Sequence, residues 1–303
     1  MGQKIELEKY EKYIVIYETE NPIGIIQIVH GMNEHIGRYE EFALECNKNG
    51  YIVVGHNNRG HGILSSKKNN LGVFPENFMV LIDDIKDVTL EVKNRFSNLP
   101  LVLLGHSLGS FMVRTYSIFN SDLIDGLIIV GTGQKPKYQL SFARLVTKIM
   151  KKIYGNKYRS KFLSFATTGN YKKYFKNEKI NSWLSRNEES NMRYAKDGMT
   201  KFIPTLSMFD GMFEIINIAC DKSNMKNMDK KLPIFVISGS EDPVGNFSKE
   251  VVKLYDFMKK NNFENLDYKI YKNARHEILN EINRSEVYED IFKWIKSKIK
   301  KRS

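Results

Sequence analysis

Residues 101–113 read LVLLGHSLGSFMV and hold Ser107 between Gly105 and Gly109. An apolar run, a Gly-His-Ser-Leu-Gly turn and an amphipathic continuation predict a strand, a tight elbow and a helix. The spacing has a steric reason. A serine lifted on a strained turn brings its backbone close to its neighbours, and glycine has no Cβ to collide there. The helix that follows aims its N-terminus at the same point, where negative charge is favoured. A serine hydroxyl is a weak nucleophile until a base takes its proton, so the rest of the chain must supply a base and an acid. LDYKIYKNARHEI (266–278) is a predicted last strand running into a loop that carries His276. LPIFVISGSEDPVG (232–245) is a buried-type strand running into a turn that carries Glu241 and Asp242. Serine, then acid, then histidine, each at a strand end, suits nucleophilic acyl transfer. His276 would take the serine proton and return it to the leaving group, and the carboxylate would fix the imidazole tautomer.

The tetrahedral intermediate of such a reaction carries an oxyanion that needs preorganised donors. One is expected to be the backbone N–H of Leu108, the residue after the nucleophile. The other is expected from the loop after an early strand, IGIIQIVHGMNEH (23–35), which points to the N–H of Met32. His30 would shape that loop, His35 with Glu34 would brace its turn, and His106 belongs to the elbow. The pairs His30/His35 and His56/His61 sit on predicted loops at i,i+5 spacing, and no HExxH pattern occurs, so no metal is expected. No cofactor is expected either.

These segments together resemble the monoacylglycerol lipase and lysophospholipase branch of the α/β-hydrolases, also described as the serine aminopeptidase S33-like group. The matching stretches are HGMNEHIGRY (30–39), NNRGHG (57–62), GHSLGS (105–110), GSEDPVG (239–245) and ARHEILNE (274–281). The resemblance implies that Asp242, directly before Pro243, is the acid rather than Glu241. It implies an α/β-hydrolase fold and hydrolysis of an acyl ester, commonly of a lipid with one acyl chain. It fades over 134–230 except at WLSRNEESNMRYAKDG (183–198), which is similar to a cap-region motif of the same branch. Asn57 and Asn58 stand where the branch usually has Asp-His. That departure touches a loop and not the triad positions.

Strands alternating with helices argue a doubly wound, mostly parallel sheet. Strands are expected at 12–17, 23–29, 51–55, 101–104 and 126–130, with helices near 38–49, 77–96, 108–119, 247–260 and 285–299. Asp83, Asp84 and Asp87 on the helix before the nucleophile strand read as a solvated face. Nearly a hundred residues separate the strand ending near 130 from the next at 232, too many for a structureless loop. Residues 1–133 and 232–303 are therefore expected to form the core and 134–231 an inserted helical cap. Within the cap Tyr138, Phe142, Leu145, Val146, Ile149 and Ile153 form a helical apolar stripe, with Lys148, Lys151 and Lys152 largely outside it. Phe209, Met212 and Phe213 are candidates to line an acyl pocket or, alternatively, to glue the cap to the core.

The net charge of +12 is concentrated in the cap: residues 134–228 hold 19 Lys and Arg against 7 Asp and Glu. Such a face could dock on anionic lipid, where each basic residue near the surface contributes about 1 kcal/mol, or be an ordinary lysine-rich solvated surface. No nucleic-acid-binding pattern accompanies it. The charged N-terminus lacks an apolar signal core, so a cytoplasmic protein is expected, with Cys46 and Cys220 as free thiols. Three functions fit. The leading one is a serine carboxylic-ester hydrolase of monoacyl lipids. A peptidase or amidase would use the same triad, and a noncatalytic binding module would not need the triad intact.

Overall fold

The computed structural model describes residues 3–9, 12–176 and 178–299. Its frame is a sheet in the order β1-β2-β4-β3-β5-β6-β7-β8. These strands are β1 (Lys4–Lys9), β2 (Lys12–Tyr17), β3 (Gly24–Val29), β4 (Tyr51–His56), β5 (Leu101–His106), β6 (Gly126–Val130), β7 (Ile234–Gly239) and β8 (Leu266–Tyr271). β2 pairs antiparallel with both β1 and β4 at one edge, and every pairing from β4 onward is parallel. Strands β3 to β7 are buried along their whole length, as expected of a parallel sheet covered on both faces. This is the α/β-hydrolase fold.

Two apolar clusters cover the two faces. One packs α3 (Val80–Arg95), α4 (Leu108–Asn120) and α10 (Lys249–Lys260) through residues such as Ile85, Met112 and Leu254. The other packs α1 (Glu40–Lys48) and α11 (Arg284–Lys298) through Phe42, Ile291 and Trp294. A short α2 (Gly62–Lys67) follows β4. Asp84 on α3 departs from the solvated face read from the sequence. It is buried, and its carboxylate takes Lys12 Nζ at 3.0 Å and Arg59 Nε at 2.8 Å, while Asp83 is exposed. A charge withdrawn from water needs such partners.

The stretch between β6 and β7 carries α5 (Lys137–Tyr154), α6 (Lys161–Thr167), a 3-10 turn (Gly169–Phe175), α7 (Glu188–Lys196), α8 (Leu206–Cys220) and α9 (Lys222–Met225). α8 is apolar almost all round, and its Leu206, Phe209 and Ile215 join the core cluster under α4. Buried Arg114 on α4 ties the two ends of the stretch together. Its guanidinium donates to the carbonyls of Gly133 and Ala219, each at 2.8 Å, and to Gln134 Oε1 at 2.7 Å. α5 buries Leu140 and Thr147 and packs Ala143, Met150 and Val146 of the predicted stripe on the core cluster, while its Arg144 and Lys151 pair with Glu214 and Asp210 of α8. The rest of the stripe, Tyr138, Phe142, Leu145, Ile149 and Ile153, faces outward, 51–72% exposed, and Phe162 and Phe165 of α6 are exposed beside it.

Candidate active site

Ser107 follows the last residue of β5 and precedes α4, with φ 55° and ψ −120°. A non-glycine residue there is strained, and such strain collects at functional sites. The flanking glycines are what allow it. A Cβ on Gly105 would collide with the Gly109 carbonyl, and one on Gly109 with the Val29 carbonyl. The Ser107 amide donates to Val130 O at 3.0 Å, fixing the elbow to the end of β6.

Parallel order brings the other chemistry alongside. β7 lies next to β6, and Asp242 follows it, fully buried. His276 follows β8, and its Nδ1 lies 3.0 Å from Asp242 Oδ2. Burial opposes charge on Asp242, but His276 and the Val244 amide, which donates to Oδ1 at 2.8 Å, outweigh it and hold the carboxyl below its usual range. Ser238 Oγ adds a hydrogen bond at 3.2 Å. Glu241 is half-exposed and meets Arg275 at 3.4 Å. His106, the neighbour of Ser107, packs its ring 4.8 Å from that of His276. Ser107 Oγ makes no hydrogen bond among the described residues; catalytic contacts of this kind tighten on substrate binding.

The loop after β3 closes over the elbow, and a Cβ on Gly31 would fall 2.8 Å from that of Ser107. Among the described residues the amides of Met32 and Leu108 have no protein acceptor, the condition that an oxyanion donor must meet. Glu34 and His30 hold the loop, with Tyr39, His106 and Asn58 as partners that the sequence did not point to. Glu34 Oε1 accepts from the Gly31 amide at 2.5 Å and from Tyr39 OH at 3.1 Å, and lies 3.0 Å from His106 Nδ1. Asn58, at the departure from the family pattern, donates its amide to His30 Nε2 and its side chain to His30 O, both at 3.0 Å. His35 braces the same turn from the other side, its Nε2 meeting Asp197 Oδ2 of the inserted stretch at 2.6 Å. Arg38 forms a two-pronged pair with Glu277, both contacts 2.7 Å.

Burial opposes charge on His106, but Glu34 overcomes it and keeps the imidazole protonated above its usual range. A raised folded-state value stabilises the fold fully below the unfolded value of about 6.5, and that contribution is lost as pH rises through the folded value. His106→Gln should therefore lose most stability relative to the parent below about pH 6.5, with the gap narrowing at higher pH. Urea unfolding from about pH 5.5 to about pH 9 measures it; a gap that widens with pH contradicts the assignment.

A cavity of about 420 Å³ opens beside Ser107. Met32 and Leu108 border it at the elbow, and Phe111, Phe142, Leu163, Met212, Phe213 and Ile216 line it. Phe209 does not. It is fully buried, stacked on Phe213 one helical turn behind the wall. Lys135 is the one charged residue among the described lining. Among the described residues no cluster of three or more His, Cys, Asp or Glu could hold a metal ion.

The family described as serine aminopeptidase, S33, matches residues 20–283. The chain belongs to this family of α/β-hydrolases. A monkeypox virus protein described as a monoglyceride lipase homolog is 24% identical over 289 residues, 92% of this chain and 91% of its own length. Human monoglyceride lipase is 25% identical over 140 residues, 46% of this chain and 45% of its own. Among solved structures, a thermostable carboxyl esterase from Bacillus coagulans in complex with glycerol aligns with a TM-score of 0.88 at 27% identity, covering 98% of this chain and 99% of that one. Monoglyceride lipase from Saccharomyces cerevisiae shares the fold, with a TM-score of 0.76 at 16% identity over 99% and 96% of the two chains. As an S33 α/β-hydrolase of the monoglyceride lipase-like branch, the chain places its cavity between the elbow and the helices inserted after β6.

Proposed function

We propose that the chain is a serine carboxylic-ester hydrolase that cleaves single-acyl lipid esters, monoacylglycerol or lysophospholipid, through an acyl-enzyme. The observation that carries this reading is the cavity: one end holds Ser107 and two free amides, and most of the remaining lining is aromatic and aliphatic. The relatives described as monoglyceride lipases and carboxyl esterase support it. In this reading His276 takes the Ser107 proton as Oγ attacks the ester carbonyl. The amides of Met32 and Leu108 receive the oxyanion, and His276 returns the proton to the departing alcohol. Water, deprotonated by the same imidazole, then releases the fatty acid. An aminopeptidase would need a carboxylate for the substrate's terminal ammonium, and the described lining offers only Lys135; ester substrates are favoured on that ground.

A pocket of this kind makes a specific prediction. Along a series of p-nitrophenyl esters, each added methylene that becomes buried should raise kcat/KM by up to about 0.8 kcal/mol, roughly fourfold, until the cavity is full. A profile flat from acetyl to long-chain esters would remove the acyl pocket and leave a generic esterase.

In the same reading residues 134–231 form a cap that docks on anionic lipid. No described helix is long and apolar enough to cross a membrane. α5 instead carries a second, outward apolar row besides the side it packs on the core, which an ordinary surface helix lacks, with Lys148, Lys152 and Lys161 exposed around it. Cosedimentation with anionic vesicles should weaken as salt shortens the Debye length from about 10 Å at 0.1 M to about 3 Å at 1 M. A Leu145→Glu, Ile149→Glu double variant should lose vesicle binding and keep hydrolysis of a soluble short ester, since neither residue lines the cavity. Equal, salt-independent binding to neutral and anionic vesicles would contradict docking.

A further inference from the structure

We infer that Trp183 is a positioning residue for the base, carried on a segment of the inserted stretch that is fastened to the histidine loop. The inference rests on His276 being the base. The half-buried indole of Trp183 stacks on the imidazole of His276, with centroids 5.4 Å apart and planes 26° apart.

The stacking is held in register by bonds on both sides of it. The chain neighbours of His276 are tied to the chain neighbours of Trp183. Arg275 Nη1 donates to Ser182 O at 2.7 Å, and the Glu277 amide donates to Leu184 O at 2.7 Å. Arg275 also grips Glu178 with both prongs, each at 2.6 Å. Further along, Ser185 Oγ donates to Asn280 O at 3.2 Å, and Arg186 meets the fully buried Glu281 carboxylate through its amide at 3.1 Å and Nε at 3.0 Å. Glu281 closes the loop on itself by accepting the Arg275 amide at 2.9 Å. Residues 178–186 and 275–281 are thus zipped together, with residue 183 set against residue 276.

The chemistry of the base explains what this arrangement does. Asp242 fixes His276 at Nδ1 and the tilted ring of His106 packs 4.8 Å away, but that leaves the imidazole freedom to tip about the hydrogen bond. A planar indole on the ring face removes that freedom. It also keeps water from that face, which strengthens the Asp242 contact. Small errors in the placement of a reacting group cost about 10²-fold in rate per ångström. Tyr171, which lines the cavity, packs on Trp183 at 5.3 Å, while Trp183 itself is not a lining residue. Its loss should therefore act on kcat and not on substrate affinity.

The test compares Trp183→Phe, Trp183→Leu and Trp183→Ala with Ser107→Ala, using p-nitrophenyl acetate. Phe keeps a ring, and Leu keeps apolar bulk without one, and at this half-buried position both are expected to preserve the fold. The inference predicts kcat lowered at least about tenfold in the Leu and Ala variants, with KM within about twofold. The Phe variant should retain at least about a third of the parent kcat. The low-field proton signal of the His276–Asp242 hydrogen bond should broaden in the Leu variant and persist in the Phe variant. Equal kcat in the Phe and Leu variants overturns the inference, as does a rise in KM at unchanged kcat. Full activity in Ser107→Ala would instead overturn the triad reading, so the two failures are told apart in one assay.

Discussion

Ser107→Ala is expected to lower kcat for ester hydrolysis by about 10⁵- to 10⁶-fold while leaving the thermal transition in place. His276→Ala should cost about as much, and the double variant scarcely more, because a nucleophile without its base and a base without its nucleophile fail together. The structural ground is the elbow. Ser107 sits at φ 55° between two glycines that no side chain could replace, and its hydroxyl is left without a structural hydrogen bond among the described residues. A serine serving only the fold would not need that strain. Steady-state kinetics on purified, folded variants check the expectation; retention of most activity in Ser107→Ala contradicts it.

The second large effect is expected at Asp242. Asp242→Asn preserves shape but offers the imidazole the wrong partner, and the loss should be about 10⁴-fold in kcat. Glu241→Gln should stay within about threefold of the parent. The two neighbours are separated by environment. Asp242 is fully buried against His276, Ser238 and the Val244 amide, whereas Glu241 is half-exposed beside Arg275. Removing the partner of a buried pair costs far more than loosening an exposed one. The reverse pattern of loss would move the acid to Glu241.

Features written in local sequence were legible. The apolar runs of β2 to β7 and the Gly-His-Ser-Leu-Gly turn located the sheet and the elbow, and the two late strand ends located Asp242 and His276. β1 was passed over because its charges dominate KIELEK, although Ile5 and Leu7 alternate as an edge strand requires. What periodicity could not give was direction. The stripe on α5 was visible, but a helical wheel does not say which side faces inward. Asp210 and Glu214 of α8 decide that by drawing in Lys151 and Arg144. The acyl-pocket candidates divided for the same reason: Met212 and Phe213 reach the cavity, and Phe209 stops one turn short.

Long-range partners were the least legible part. Asp84 read as solvated because Lys12 and Arg59, which surround it, lie far away in sequence. Glu34 and His106 sat inside recognised motifs, yet their mutual contact spans 72 positions. Trp183 meets His276 across a longer gap still. An acid three residues after the glycine of the loop that follows β3 was the available signal for Glu34; Trp183 opened the stretch similar to a cap-region motif, but nothing local tied it to His276.

The most direct measurement of the central claim is covalent labelling by a fluorophosphonate probe followed by peptide mapping. The account predicts one adduct, on Ser107, abolished in Ser107→Ala and strongly slowed in His276→Ala. No adduct in the folded parent protein, or an adduct on another residue that persists in Ser107→Ala, would contradict it.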